Sequence, residues 1–324
     1  MNRGKKITIL KWVFLVAVIV VAVSIFLNRE WLYDFYRGKT YQPSSEMISI
    51  RNSLNLTSRG EFLFNASQPE LNNRDEFNGY CRGSGNEIAI LGCYTNGNIY
   101  VYNITDKELD GIRELTTAHE LLHAVYDRMP EADKEELSVS LEKVYQENLG
   151  IFKEDLDTYP ENERAEELYV RAGTEVKKLP DDLEKHYAEI FKDQDKVVGF
   201  YDKYIKVFKQ LETELDQLEQ EMKAIAANVE KKTIEYEANV NQLNSEIGEF
   251  NVCADTMGCF ESEQEFNIRR NELVIRQNAL DAVYDEINAM INQYNEKVEL
   301  YNRDVLRTEK LNEMINSNTK PKNI

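Results

Sequence analysis

Three histidines occur in the 324-residue chain, and two of them stand four apart around a carboxylate: His119-Glu120-Leu121-Leu122-His123. On a helix, residues four apart are neighbours on one face, so both imidazoles can aim a nitrogen at one point. Neutral imidazoles are Zn²⁺ ligands, and a third protein ligand would leave one position for water. Such a metal lowers the pKa of its water to ~7 and polarises a carbonyl. Glu120 is placed to take the proton of that water and hand it to a leaving amine. These residue types at this spacing point to Zn²⁺-dependent peptide hydrolysis, with His119 and His123 as ligands and Glu120 as general base.

Particular elements must position these groups. Leu115 to Met129 reads LTTAHELLHAVYDRM and stops before Pro130. Leu115, Ala118, Leu122 and Val125 recur at helical spacing and predict a buried stripe beside the histidine face. Upstream, EIAILGCY from Glu87 and NIYVYNI from Asn98 flank Asn96-Gly97, which predicts a hairpin. Asp106 or Asp110 could then cap the histidine helix. Residues 40–80 are polar apart from Glu61-Phe62-Leu63-Phe64. Downstream, one helix opens at Pro130-Glu131 and runs to Asn148-Leu149-Gly150, and a loop continues through Tyr159-Pro160. A second helix covers Glu161 to Ala172, with Gly173 as its terminating glycine.

The motif His119 to His123 resembles the zinc helix of zincin metallopeptidases, in particular the gluzincin type and its uncharacterised membrane-anchored bacterial members. The metzincin extension does not fit, because Tyr126 and Met129 stand where Gly and His would be. The resemblance covers about residues 87–190 and implies a third ligand, a glutamate on a second helix. Asn162-Glu163-Arg164-Ala165-Glu166-Glu167 is similar to the gluzincin N-E-x-x-x-D. That implies Glu163 as metal ligand and Glu167 as the acid steering a ligand imidazole, with Glu167 and Glu166 as alternative ligands. Glu175 is a further candidate for the steering acid. The resemblance also implies that the strand Asn98 to Ile104 is an edge that pairs with an extended substrate. A donor to the developing oxyanion is expected as well, and His186, Tyr187 and Tyr169 are the candidates.

The rest of the chain sets the location. Ile7 to Leu27 carries only Lys11 as a charge, long enough to span a ~30 Å hydrocarbon core at 1.5 Å per residue. A cleaved signal peptide is the competing reading, but apolar residues continue past Ala22-Val23-Ser24. Lys11 and the amino terminus favour an N-terminus on the cytoplasmic side. Trp31, Tyr33, Phe35 and Tyr36 would form an interfacial aromatic belt. Four cysteines fall into local pairs, Cys81 with Cys93 and Cys253 with Cys259, which predicts two disulfides in an oxidising, extracytoplasmic compartment. With 39 Lys+Arg against 58 Asp+Glu, net −19, the chain lacks the basic surface that nucleic acid requires.

From Val197 onward glycine nearly disappears, and apolar residues step by 3 and 4 through Leu211, Leu215, Leu218, Met222 and Ile225. They do so again from Leu280 to Val305, which predicts an antiparallel coiled-coil hairpin whose surface could dock a protein partner. The expected fold is mainly α with a small β-hairpin or sheet. Its parts are a tip, transmembrane anchor and interfacial segment (1–39), a zincin-like α+β domain (40–195), the coiled-coil hairpin (196–315, tip 251–262) and a disordered tail (316–324). The expected function is a single-pass, extracytoplasmic zinc peptidase acting on a peptide or protein. The alternative is a surface-anchored coiled-coil scaffold with an inactive zincin-like domain.

Overall fold

The computed structural model describes residues 3–81, 91–157 and 159–317. Helices dominate, with one small sheet. Two compact units emerge, one from residues 1–207 with 312–324 and one from 208–311. The division falls inside a long helix that starts within the first unit.

In the first unit, α1 (Arg3–Leu27) and α2 (Arg29–Thr40) meet at Asn28. Among the described residues no single helix is long and apolar enough to cross a membrane. Phe14–Leu27 and Arg29–Thr40, bent by 69°, reach that length and apolarity only together. The polar segment 40–80 forms short helices and a strand. Ser44 and Thr57 cap α3 (Ser45–Leu54) and α4 (Ser58–Ser67) by accepting from Met47 and Gly60 amides. After β1 (Glu70–Asn72), a reciprocal Asn73–Glu76 box starts α5 (Arg74–Tyr80).

The hairpin forms as expected between β2 (Gly92–Thr95) and β3 (Asn98–Tyr102). Asn96 and Gly97 both take positive φ, 52° and 76°, the conformation a two-residue turn of this twist requires. The expected start of the strand at Glu87 lies outside the described residues. β1 adds in parallel to β3, giving the order β1-β3-β2. β3 is therefore the central strand, which corrects the expectation that it is the edge. Its Ile99 and Val101 enter the core. Arg37 of α2 ties three pieces together, donating to the carbonyls of Ala66 and Gly97 and to Asn98 Oδ1 at 2.6, 2.9 and 2.6 Å.

The histidine helix is α6 (Ile112–Asp127). Neither aspartate caps it. Asp106 caps a single 3-10 turn, Lys107–Leu109, and Gly111 with φ 93° precedes α6. Then come α7 (Glu131–Glu147) and α8 (Leu149–Leu156), a helix where loop was expected because Phe152 and Leu156 reach the core. α9 (Glu161–Glu175) runs past Gly173. That glycine is a crossing point, where a Cβ would stand 2.6 Å from Leu122 Cδ1 and from Tyr187 Cε1. α10 (Asp181–Ala188) follows, and the core gathers Leu54, Phe64, Leu121, Val125, Tyr169 and Tyr187.

Two long helices, α11 (Gln194–Ala254) and α12 (Glu263–Ile315), pack together, and the second unit is made of their residues 208–311 with the turn between them. The ion pairs Glu221–Lys297, Lys232–Glu286 and Glu246–Arg276 run in opposite sequence order, so the helices are antiparallel. Phe250, Phe260 and Phe266 cluster beside the turn, and Cys253–Cys259 closes it. Cys81–Cys93 is the second expected disulfide, tying the end of α5 to β2. Of the expected disordered tail, residues 318–324 lie outside the described residues. Asn316 and Ser317 are not loose: Ser317 is buried and its carbonyl accepts from Asn78 at 2.7 Å.

Candidate metal centre

α6 buries Ala118, Leu121, Leu122 and Val125, and this stripe fixes the helix so that its next face meets α9. His119 and His123 lie on that face. Their Nε2 atoms are 3.3 Å apart. Glu167 of α9 completes a triangle, with Oε1 3.7 Å from His119 Nε2 and Oε2 3.5 Å from His123 Nε2. A tetrahedral ion bound at ~2.0–2.1 Å holds its ligands ~3.3 Å apart. The imidazole pair matches that figure and each imidazole has a Glu167 oxygen within 3.7 Å, so the group could hold a metal ion. The histidine side chains keep 25% and 19% of their surface while Glu167 keeps 7%, so the approach is from the imidazole side.

Glu163, the expected ligand, is exposed in the first turn of α9 and is not in this group. It shares a helical face with Glu167, but the crossing with α6 falls one turn later, so Glu167 takes the vertex. Glu167 faces the Nε2 side of both rings, and the acid on the far nitrogen is Glu166, with Oε1 2.8 Å from His123 Nδ1. A proton on Nδ1 donated to Glu166 leaves the Nε2 lone pair facing the triangle, as a metal ligand requires. Glu175 forms a buried fork with Arg171 at 2.9 and 3.0 Å.

Charge is strongly biased within the group. Burial, opposed by Glu167, pushes His119 down to about 4 from 6.5. Burial also works against a charged His123, yet hydrogen bonds to Glu166 and Glu167 carry it well above its ordinary value. For Glu167 burial is again opposed, chiefly by His119 and then by His123, and the carboxyl sits below the usual range.

Glu120 is buried against β2, and Gly92 makes this approach feasible. A Cβ at Gly92 would stand 2.6 Å from both Glu120 Oε1 and Thr116 Cγ2. The Glu120 charge helps raise His123. Gly92 was invisible as a site residue in the sequence; a glycine opening a strand beside Cys93 was its one signal.

The three oxyanion candidates engage one another rather than the His–Glu group. Tyr169 and Tyr187 are fully buried, and burial drives both phenols up. Tyr169 Oη lies 2.8 Å from His186 Nε2, and Tyr187 Oη donates to the Tyr169 carbonyl at 2.6 Å. Among the described residues these contacts form a packing spine under α9.

Compared with protein-family models, curated proteins and solved structures, the chain matches none of them.

Proposed function

We propose that the chain is a membrane-anchored, extracytoplasmic zinc-dependent peptidase of zincin-like architecture. The observation that carries this reading is the triangle of His119, His123 and Glu167 at tetrahedral-edge spacing, with Glu120 on the intervening turn. Zn²⁺ held there would supply Lewis acidity toward a carbonyl and a water acidified to ~7. His119, His123 and Glu167 bind; Glu166 fixes the tautomer of His123. Glu120 takes the proton of the attacking water and passes it to the departing amine. β2 is an outer strand of the sheet among the described residues, and it, rather than β3, is the ledge an extended substrate would pair with.

The location rests on the apolar run of α1 and on two disulfides, which fit an oxidising compartment. The antiparallel α11–α12 pair, with its 3–4 apolar spacing, serves in this reading as a coiled-coil arm for a protein partner.

The test is elemental analysis and peptide cleavage on the full chain purified in detergent. The expected result is stoichiometric zinc in the wild type and in Glu120→Gln, with cleavage by the variant reduced about 10²–10⁴-fold. A wild type without zinc overturns the proposal. Equal inertness of both zinc-loaded proteins on a broad peptide library favours the scaffold reading instead.

A further inference from the structure

The polarity of α2 is inverted relative to a helix on a water-facing body. Its inward stripe is charged. Asp34 and Arg37 are each only 9% exposed. Asp34 receives a fork from Arg128, at the end of α6, at 2.8 and 3.0 Å, and Arg37 binds the hairpin and the end of α4. The outward face is apolar: Trp31, Leu32, Phe35 and Tyr36 are 55%, 39%, 43% and 67% exposed. Positions 31, 32, 35 and 36 lie on one side of a helix. A contiguous aromatic face of this kind marks an interaction surface.

What covers it follows from what precedes it. The face continues the apolar, exposed surface of α1 across Asn28. The 69° bend lays α2 close to the membrane plane when α1 runs along the normal. Trp and Tyr are the side chains that settle at the headgroup level. The cations are arranged to match: Lys39 Nζ rides 5.6 Å over the Phe35 ring and the Arg29 guanidinium 5.7 Å over Phe26, stems along apolar surface and charges at its rim.

We propose that α2 lies in the headgroup layer of a phospholipid bilayer, with Trp31, Leu32, Phe35 and Tyr36 in the lipid boundary, and that its inward charges clamp α6 to the membrane surface. The Arg128–Asp34 fork ties the end of α6 to the interfacial helix, and α4 packs against both, so the His–Glu group stands at a set height above the lipid. This inference rests on the membrane-anchored reading above.

The chain has two tryptophans, Trp12 and Trp31, so single substitutions isolate each. Full-length Trp12→Phe is reconstituted into phosphatidylcholine vesicles brominated either near the headgroup or near the bilayer centre. Trp31 emission should lose most of its intensity to the shallow bromine, little to the deep one and little to aqueous acrylamide. Strong acrylamide quenching with no bromine effect overturns the proposal, placing the face in water. Quenching by neither, with a cross-linkable dimer, also overturns it, placing a second copy there. The reciprocal Trp31→Phe protein reports α1. Bromine quenching of Trp12 in either overturning case leaves the anchor reading standing. Absence of bromine quenching for both tryptophans removes the anchor reading as well.

Discussion

Removing Glu167 should cost metal affinity, and removing Glu163 should not. Glu167→Gln should abolish high-affinity zinc binding, whereas Glu163→Gln should leave it unchanged in a competition titration with a chromogenic chelator. Glu166→Gln, which loosens His123 without deleting a ligand, should weaken affinity by about 10–100-fold. The pair His119–His123 was legible in the sequence because a helix turn brings i and i+4 together whatever the tertiary fold. The third vertex was legible only as a choice, Glu163 with Glu167 and Glu166 as alternatives, because the crossing at Gly173 and Leu122 is what selects among them. Acid should act through His119. Its folded pKa of about 4 lies below the ordinary 6.5, so the unfolded chain binds a proton over that window while the folded chain does not. The stabilisation is complete above 6.5 and is lost as pH falls toward 4. Chelator-treated protein should show a falling Tm across that window, and His119→Gln should flatten the fall. His123 has the opposite sign: its raised pKa contributes stability in full below 6.5, and this is lost as pH rises from there toward about 10.

At the scale of elements, close approach of backbone to side chain is what holds the site together. Gly92→Ala should cost about 1–3 kcal/mol in urea unfolding and displace Glu120, since the new methyl would meet Glu120 and Thr116 at 2.6 Å. Gly79→Ala in α5 is the matched control. Nothing lies within 4 Å of a Cβ there, so it should be neutral or stabilising by up to about 1 kcal/mol. Asp34→Ala should destabilise by about 1.5–3 kcal/mol by removing both charged acceptors of the half-buried Arg128 fork. The hairpin was legible because Asn96-Gly97 dictates two positive φ values locally. The helices α3 to α5 and the parallel β1–β3 pair were hidden, because short polar segments gain their structure from caps such as Ser44, Thr57 and Asn73 and from partners far along the chain.

For the whole molecule, each unit has its own closure. Serine replacement of Cys81 and Cys93 should destabilise the first unit by about 3 kcal/mol and impair the site, given the loop that this bridge closes beside Gly92. The same change at Cys253 and Cys259 should leave zinc content unaltered. The long helices were legible from apolar steps of 3 and 4 alone. Their division from the rest was not, because α11 starts among the core residues Val197 and Val198 of the first unit before it leaves. The candidate ligands arrive on α6 and α9, while α7 and α8 form an excursion between them. An ion gripped by both helices is then a removable staple across that excursion. A protease nick in the α8–α9 connection should yield two fragments that stay mated through gel filtration while zinc is aboard, and that separate at a lower urea concentration once it is chelated.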